Sequence, residues 1–300
     1  MKDIAIIGAG PAGIAASIYL KRAGFEPLVF EKGDIGGLLL NANLVENYPG
    51  FPEGITGKEL VKLFKNQLLR LDIYVENKEV KEVNIDGDGF KLITSNEILN
   101  PRALIITSGT IPKDIELKGQ SSVLGRKLFY EIKDIPPPKR EDTFVVIGAG
   151  DAAFDYALNL SKDVSKVDII FRSDKAKCVT LLEDRARKSK NINVHPKTIP
   201  LHVNEEQGKI KIECISDGKE VIFTPNYGLI ACGRSPNLNV ISKELQKSLR
   251  IKKDGTTNIP GLYFAGDVRR GNFRQTGIAV GDGISTAMMA AEFLLGGYEK

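Results

Sequence analysis

Residues 4–17 read IAIIGAGPAGIAAS, and residues 144–157 read FVVIGAGDAAFDYA. Each opens on a run of β-branched and other apolar residues, as a strand buried on both faces of a parallel sheet requires. Each then gives a glycine turn and a helix start built from small residues. A second apolar run follows each helix, PLVF at 27–30 and VDIIF at 167–171. The two copies lie 140 residues apart, so the chain uses one supersecondary unit twice.

The glycine spacing has a physical purpose. In the first copy Gly8, Gly10 and Gly13 form G-x-G-x-x-G, with Pro11 and Ala12 between them. Gly8 allows the tight turn out of the strand, Gly10 lets the backbone approach a pyrophosphate, and Gly13 permits close helix–strand packing. The helix N-terminus then offers free N–H groups and its positive dipole end to the phosphates. Glu31, 23 residues after Gly8, stands where an acid accepts hydrogen bonds from a ribose diol. The second copy has Gly148, Gly150 and Ala153, with Asp151 and Ala152 between. In place of the acid it carries Arg172, followed by Lys175 and Lys177. A guanidinium there pairs with a 2′-phosphate, so this site leans to NADP, with NADPH favoured over NADH. The plain alternative is a solvated loop, because Asp174 dilutes the positive patch. Two dinucleotide sites in one chain suggest two dinucleotides. The simplest chemistry joining them is hydride transfer from a nicotinamide to a flavin.

The expected fold is α/β, with two Rossmann-like dinucleotide-binding domains in three layers around parallel sheets, the second inserted in the first. Residues 103–109 (ALIITSG) and 227–233 (YGLIACG) are buried strands that end in glycine, and they extend the repeat. The reading places residues 1–112 plus 240–300 in the first domain and 113–239 in the second. A strand at 261–265 (GLYFA) leads through Gly266-Asp267 to a small-residue helix over 277–295. Asp86-Gly87 and Asp217-Gly218 separate strand-like runs and mark hairpins. The DGDG string at 86–89 is no calcium loop, since Phe90 occupies the place of the third oxygen ligand.

Composition bounds the function. The chain has 300 residues, 42% hydrophobic and 27% charged, which excludes disorder, a collagen-like repeat and a small disulfide scaffold. The net charge of +4 comes without a Lys/Arg-rich block, so no nucleic acid is expected, while an acidic protein partner is compatible. Cys178, Cys214 and Cys232 form no C-x-x-C pair, which suits a reduced, cytoplasmic protein. Two histidines, His195 and His202, cannot build a His-rich metal site, and no metal is expected. No targeting segment is expected ahead of the first strand. The charge-free stretch 4–20 is short for a membrane span and reads as strand, turn and helix, so no membrane association is expected.

Further motifs follow one another in order: Gly36-Gly37, ENYPGFP at 46–52, Gly109 at a strand end, GAGDAA at 148–153, ACGRSPN at 231–237, IPGLYFAGD at 259–267 and Arg274-Gln275. Together with GAGPAG and Glu31 this resembles the low-molecular-weight thioredoxin reductase family over essentially the whole chain. The resemblance implies FAD in the first domain, NAD(P)H in the second, and a homodimer. It implies that FAD lies against Gly8, Gly10, Pro11, Ala12, Gly13, Glu31, Lys32, Gly37, Leu38, Asn47, Tyr48, Val80, Gly109, Gly266 and Asp267. Arg274, Gln275 and Thr276 belong to the same set, with a helix starting near Thr276 aimed at the flavin edge where negative charge develops. NADP falls to Gly148, Gly150, Asp151, Ala152, Ala153, Arg172 and Lys177.

One departure matters most. Thioredoxin reductases carry a redox-active C-x-x-C after a tyrosine and before the second glycine motif, but here Tyr130 is followed by Glu131, Ile132, Lys133 and Asp134. A thiolate is the species that attacks a disulfide, so electrons cannot leave through an internal dithiol. This region is similar to ferredoxin–NADP reductases of the thioredoxin-reductase type, which also lack the cysteines. The reading expects no C-terminal extension of the kind that group carries, and Arg274-Gln275 and ACGRSPN look more like the disulfide reductases. The expectation is an FAD-dependent NAD(P)H oxidoreductase, with no side-chain catalytic residue, that passes electrons to ferredoxin or a similar small redox carrier. The alternatives are a thioredoxin reductase-like protein with an unusual electron exit, and a flavin- or nucleotide-binding sensor with little turnover.

Overall fold

The computed structural model of the chain describes residues 3–296. They divide into two compact units, one of the residues up to 40 with 45–111 and those from 235 on, the other of 41–44 with 112–234. The crossings thus fall at 111/112 and 234/235, where 112/113 and 239/240 were expected. The reason is local: the Asn237 N–H donates to Gly109 O at 3.0 Å and the Ser108 hydroxyl donates to Asn237 O at 2.6 Å. These bonds hold 235–239 to the first unit.

In the first unit a five-stranded parallel sheet runs Leu262–Phe264, Ala103–Ile106, Ile4–Ile7, Leu28–Glu31 and Val75–Asn77 in spatial order. All four residues of Ile4–Ile7 are buried, and they alternate between two cores. Ile4 and Ile6 pack with Ile14 and Leu20 of helix α1 (Pro11–Arg22). Ala5 and Ile7 pack with Val83, Phe90 and Leu92 of an antiparallel sheet, Val80–Asp86, Gly89–Thr94 and Ile98–Leu99. That alternation is why the strands read as continuous apolar runs. Helix α2 (Gly57–Arg70) is started by a reciprocal capping box between Thr56 and Glu59.

The second unit repeats the plan. Its parallel sheet runs Ile192–His195, Lys166–Ile170, Thr143–Ile147, Tyr227–Ile230 and Leu128–Phe129. Helices α3 (Asp151–Leu160) and α4 (Thr180–Lys188) cover one face. The other face carries a second antiparallel sheet, Thr198–Glu206, Lys209–Ser216 and Lys219–Phe223. The third layer of both units is therefore an antiparallel sheet, and the hairpins read from the sequence are its pieces. Asp217 and Gly218 both adopt positive φ, as a tight hairpin turn requires. In the first unit the pairing of Asp86 with Gly89 moves the turn to Gly87-Asp88, one residue later than expected.

After the short helix α5 (Lys243–Ser248), the last long helix, α6 (Thr276–Leu294), lies against α1. A Cβ on Gly283 would come within 2.1 Å of the Ala12 carbonyl oxygen, so only glycine permits this approach. Among the described residues no helix is long and apolar enough to cross a membrane. Gly283→Ala is expected to destabilise the fold by ~1–3 kcal/mol through overpacking. Gly281→Ala, two residues away with nothing within 4 Å of the new Cβ, is expected to stabilise it by about 0.5–1 kcal/mol. Urea unfolding of both variants checks the pair.

Candidate dinucleotide sites

The first glycine turn is held by backbone contacts. A Cβ on Gly8 would lie 2.4 Å from Thr107 O, and one on Gly13 would lie 1.9 Å from Gly8 O. A Cβ on Gly10 meets nothing within 4 Å, so the space beside this glycine is open. The Gly36 N–H donates to Ala9 O at 2.8 Å, and a Cβ on Gly37 would stand 3.6 Å from the Gly10 Cα. Gly36-Gly37 thus forms one wall beside the turn, and the 3₁₀ turn Gly37–Asn41 carries Leu38 on from it. Gly266 closes in from another side, where an added Cβ would lie 2.8 Å from the Ala12 Cβ. Asp267 follows it and is partly exposed.

Glu31 has a structural task besides the predicted one. Its Oε2 accepts from the Ala9 N–H at 2.8 Å and its Oε1 from the Gly33 N–H at 2.9 Å. Each carboxylate oxygen can accept a further bond, so the ribose role stays open. Lys32 is exposed and pairs with Glu79 at 3.3 Å, and the next residue, Val80, is buried in the core that holds Leu28 and Phe30. Asn47 Nδ2 donates to Gln275 Oε1 at 2.7 Å, joining the 46–52 loop to the residues before α6. Tyr48 lies in that loop, stacked on Phe51 and edge-on to Phe64. Gln275 is the N-cap of α6 and Thr276 its first residue, with Arg274 just before. Gly109 adopts positive φ beyond the end of the Ala103–Ile106 strand, just before the short strand Thr110–Pro112. The residues assigned to FAD therefore gather in one unit, and their open glycine cradle fits a dinucleotide.

In the second unit a Cβ on Gly148 would lie 2.4 Å from Ala231 O and 3.2 Å from the Ala153 Cβ, while Gly150 again faces open space. Asp151 and Ala152 open α3, both exposed. Asp151 Oδ1 accepts the Val179 N–H at 2.9 Å, and the Lys177 N–H donates to Ala149 O at 2.7 Å. These two bonds fold the 172–179 loop back onto the glycine turn. Arg172, Lys175 and Lys177 are exposed on that loop. Cys232 sits at the same end of the sheet, its thiol donating to Ile147 O at 3.3 Å.

The region where the resemblance places a dithiol holds an ion pair instead, which the sequence reading missed. Glu131 is buried, and its Oε1 accepts from Arg234 Nη1 at 2.6 Å. Its Oε2 accepts from Asn41 Nδ2 and from the Tyr156 hydroxyl. Burial, then the Glu131 charge, raises the Tyr156 phenol well above its ordinary value, so it stays a donor. Burial pushes the Cys178 thiol up to about 11 and Cys214 up to about 12, and raises Cys232 as well. Little thiolate exists at neutral pH at any of them. Asp155 on α3 accepts the Asn43 N–H at 2.9 Å, and burial lifts its carboxyl from 3.8 to about 6.

Two outcomes test this geometry. Gly10→Ala is expected to fold normally, judged by circular dichroism, yet to purify without yellow colour, because the new methyl enters only the ligand's space. For Asp155, the folded chain binds the proton more readily than the unfolded chain between about pH 4 and 6, so the fold gains stability as pH falls through that window. Asp155→Asn is expected to raise the melting temperature at pH 8 and to approach the wild type at pH 5.

A family model described as pyridine nucleotide-disulphide oxidoreductase matches residues 2–283. The chain is 29% identical to a thioredoxin reductase of Mycolicibacterium smegmatis, over 97% of this chain and 96% of that protein. The crystal structure of Lactococcus lactis thioredoxin reductase in its FR conformation superposes with a TM-score of 0.90 at 30% identity, covering 99% of this chain and 100% of that one. Thioredoxin reductase from T. acidophilum superposes with a TM-score of 0.88 at 29% identity, covering 98% of each chain. With its paired glycine cradles, one acid-marked and one arginine-marked, this chain belongs to the pyridine nucleotide-disulphide oxidoreductase family, as a flavin-dependent NAD(P)H oxidoreductase of the thioredoxin reductase type.

Proposed function

We propose that the protein oxidises NADPH and delivers the electrons to a small redox protein without an internal dithiol relay. The observation that carries this reading is Glu131. A buried carboxylate, ion-paired with Arg234, stands in the segment where the resemblance places the redox cysteines. FAD, when bound, supplies the carrier between a two-electron nicotinamide donor and the acceptor. The chain's own part is positioning. Gly8, Gly10, Gly13, Gly37 and Gly266 form the cradle in one unit, and Gly148 and Gly150 form it in the other. The N-terminus of α6 contributes a positive dipole end to its surroundings. Arg172 and Lys177 give the preference for NADPH over NADH. No side chain is needed as a proton donor or acceptor for hydride transfer, where orientation dominates.

Two acceptors differ in their balance. Reduction of one disulfide consumes NADPH and one proton and yields NADP⁺ and two thiols. Reduction of two ferredoxins consumes NADPH and yields NADP⁺, one proton and two singly reduced clusters. The names of the relatives favour thioredoxin, whose dithiol would then come wholly from the partner chain. The vacant cysteine positions favour a carrier that takes electrons directly, such as ferredoxin. The same reading includes a homodimer and a reducing, cytoplasmic setting, in keeping with three free thiols.

The test is anaerobic stopped-flow of the yellow protein. NADPH is expected to bleach the flavin faster than NADH does. Arg172→Gln is expected to remove most of that difference by weakening NADPH alone, an effect of about tenfold or more for a lost charge-assisted phosphate contact. Bleached protein is then mixed with oxidised thioredoxin or with ferredoxin, and return of the yellow absorbance identifies the acceptor. Failure of both nucleotides to bleach the flavin would sink the proposal.

A further inference from the structure

The loop that leads into α6 reads Arg269-Arg270-Gly271-Asn272-Phe273-Arg274, with three arginines and no acid in six residues. Phe273 is 77% exposed, one of the most exposed large apolar side chains among the described residues. Its side chain serves no core. Its backbone is nonetheless fixed, since its N–H donates to Arg270 O at 2.9 Å. The loop is also anchored at both ends. Asn47 holds Gln275 on one side, as described above. On the other side Asp282, buried inside α6, gathers the arginines.

That gathering leaves a charge over. Asp282 Oδ1 accepts from Arg269 Nη2 at 2.8 Å and from Arg270 Nη2, and its Oδ2 accepts from Arg270 Nε at 2.8 Å and from the Gly266 N–H at 3.1 Å. Two guanidiniums share one carboxylate, so this cluster carries one surplus positive charge. Arg269 is buried, whereas a third of the Arg270 side chain is exposed beside the loop. The pairing holds Arg270 in place, which lowers the entropy lost when a partner arrives. The α6 N-terminus, two residues beyond Arg274, adds its positive dipole end.

We infer that the 270–274 loop is the docking surface for the electron acceptor, with Phe273 as the apolar anchor and an acidic face of a small redox protein as its occupant. An exposed aromatic flanked by arginines is the composition that dominates binding energy at protein interfaces. The surplus positive charge selects an acidic partner and speeds its approach. The same loop ends in Arg274 and Gln275, which are assigned to the flavin, so a protein seated on Phe273 lies at the electron exit. The inference rests on the proposed function, in which electrons leave for an external carrier.

The experiment compares wild type with Phe273→Ala and Phe273→Asp, all as FAD-loaded full-length protein. Three assays are run with NADPH: reduction of the dye dichlorophenolindophenol, of an acidic ferredoxin, and of an acidic thioredoxin. The expected result is unchanged dye reduction in all three proteins. For whichever carrier the wild type reduces, KM is expected to rise about tenfold in Phe273→Ala, as for loss of an interface hot spot, and further in Phe273→Asp. Raising the salt concentration is expected to slow the wild type with that carrier and not with the dye. A carrier KM unchanged in both variants overturns the inference. So does a wild-type dimer that becomes monomeric in Phe273→Asp by sedimentation, because a second copy of the chain would then be what covers Phe273. Dye reduction without reduction of either carrier also overturns it, while leaving NADPH oxidation intact. Loss of dye reduction in the wild type would instead remove the proposed function itself.

Discussion

Everything in this molecule depends on two places where a strand hands over to a helix with no room for a side chain. At Gly13 an added Cβ would stand 1.9 Å from the Gly8 carbonyl oxygen, and at Gly148 it would stand 2.4 Å from Ala231 O. These contacts pull each helix N-terminus tight against the sheet. They leave Gly10 and Gly150 facing open space, so the one constraint fixes the packing and creates the ligand cradle. The neighbouring elements are arranged around that cradle. Glu31 holds the first turn through Ala9, and the 172–179 loop is folded back on the second through Asp151 and Ala149. The cradle shape is thus a consequence of backbone proximity and does not rely on long flexible side chains.

Within this frame the segment that follows Tyr130 carries no cysteine. A dithiol needs thiolate to react, and the three cysteines here are spread through the second unit with thiols raised by burial. Glu131, in the position next to Tyr130, makes a different kind of bond. A buried carboxylate demands a cation and further donors, and Arg234, Asn41 and Tyr156 supply them. Loss of any one donor would leave a charge poorly compensated. The segment where the resemblance places redox cysteines thus holds a buried ion pair.

Much of the fold was legible because it follows from repetition and local chemistry. The doubled glycine motif, the strands around it, the hairpins and the final helix all read from short-range pattern, since period and glycine position are local properties. The residues around the first glycine turn were readable from motif order, although the bonds that tie Glu31 to Ala9 and Gly33 were not. What was illegible depended on partners far apart in the chain. Glu131 and Arg234 are separated by 103 residues, and Asp155 meets Asn43 across 112. No window of sequence contains both ends of such a bond. The antiparallel third layer was likewise missed as a layer, because a hairpin does not reveal which face it will cover.

The sequence by itself determined the two dinucleotide units, the acid at one and the arginine at the other, and the loss of the C-x-x-C. Each is a matter of residue type at a fixed local spacing, which no later folding can alter. The tertiary structure decided which carboxylates are spent on structure and which surface charges go unbalanced. Asp282 draws Arg269 and Arg270 to one point and leaves Phe273 outside, because burial forces a charge to find partners wherever the fold brings them.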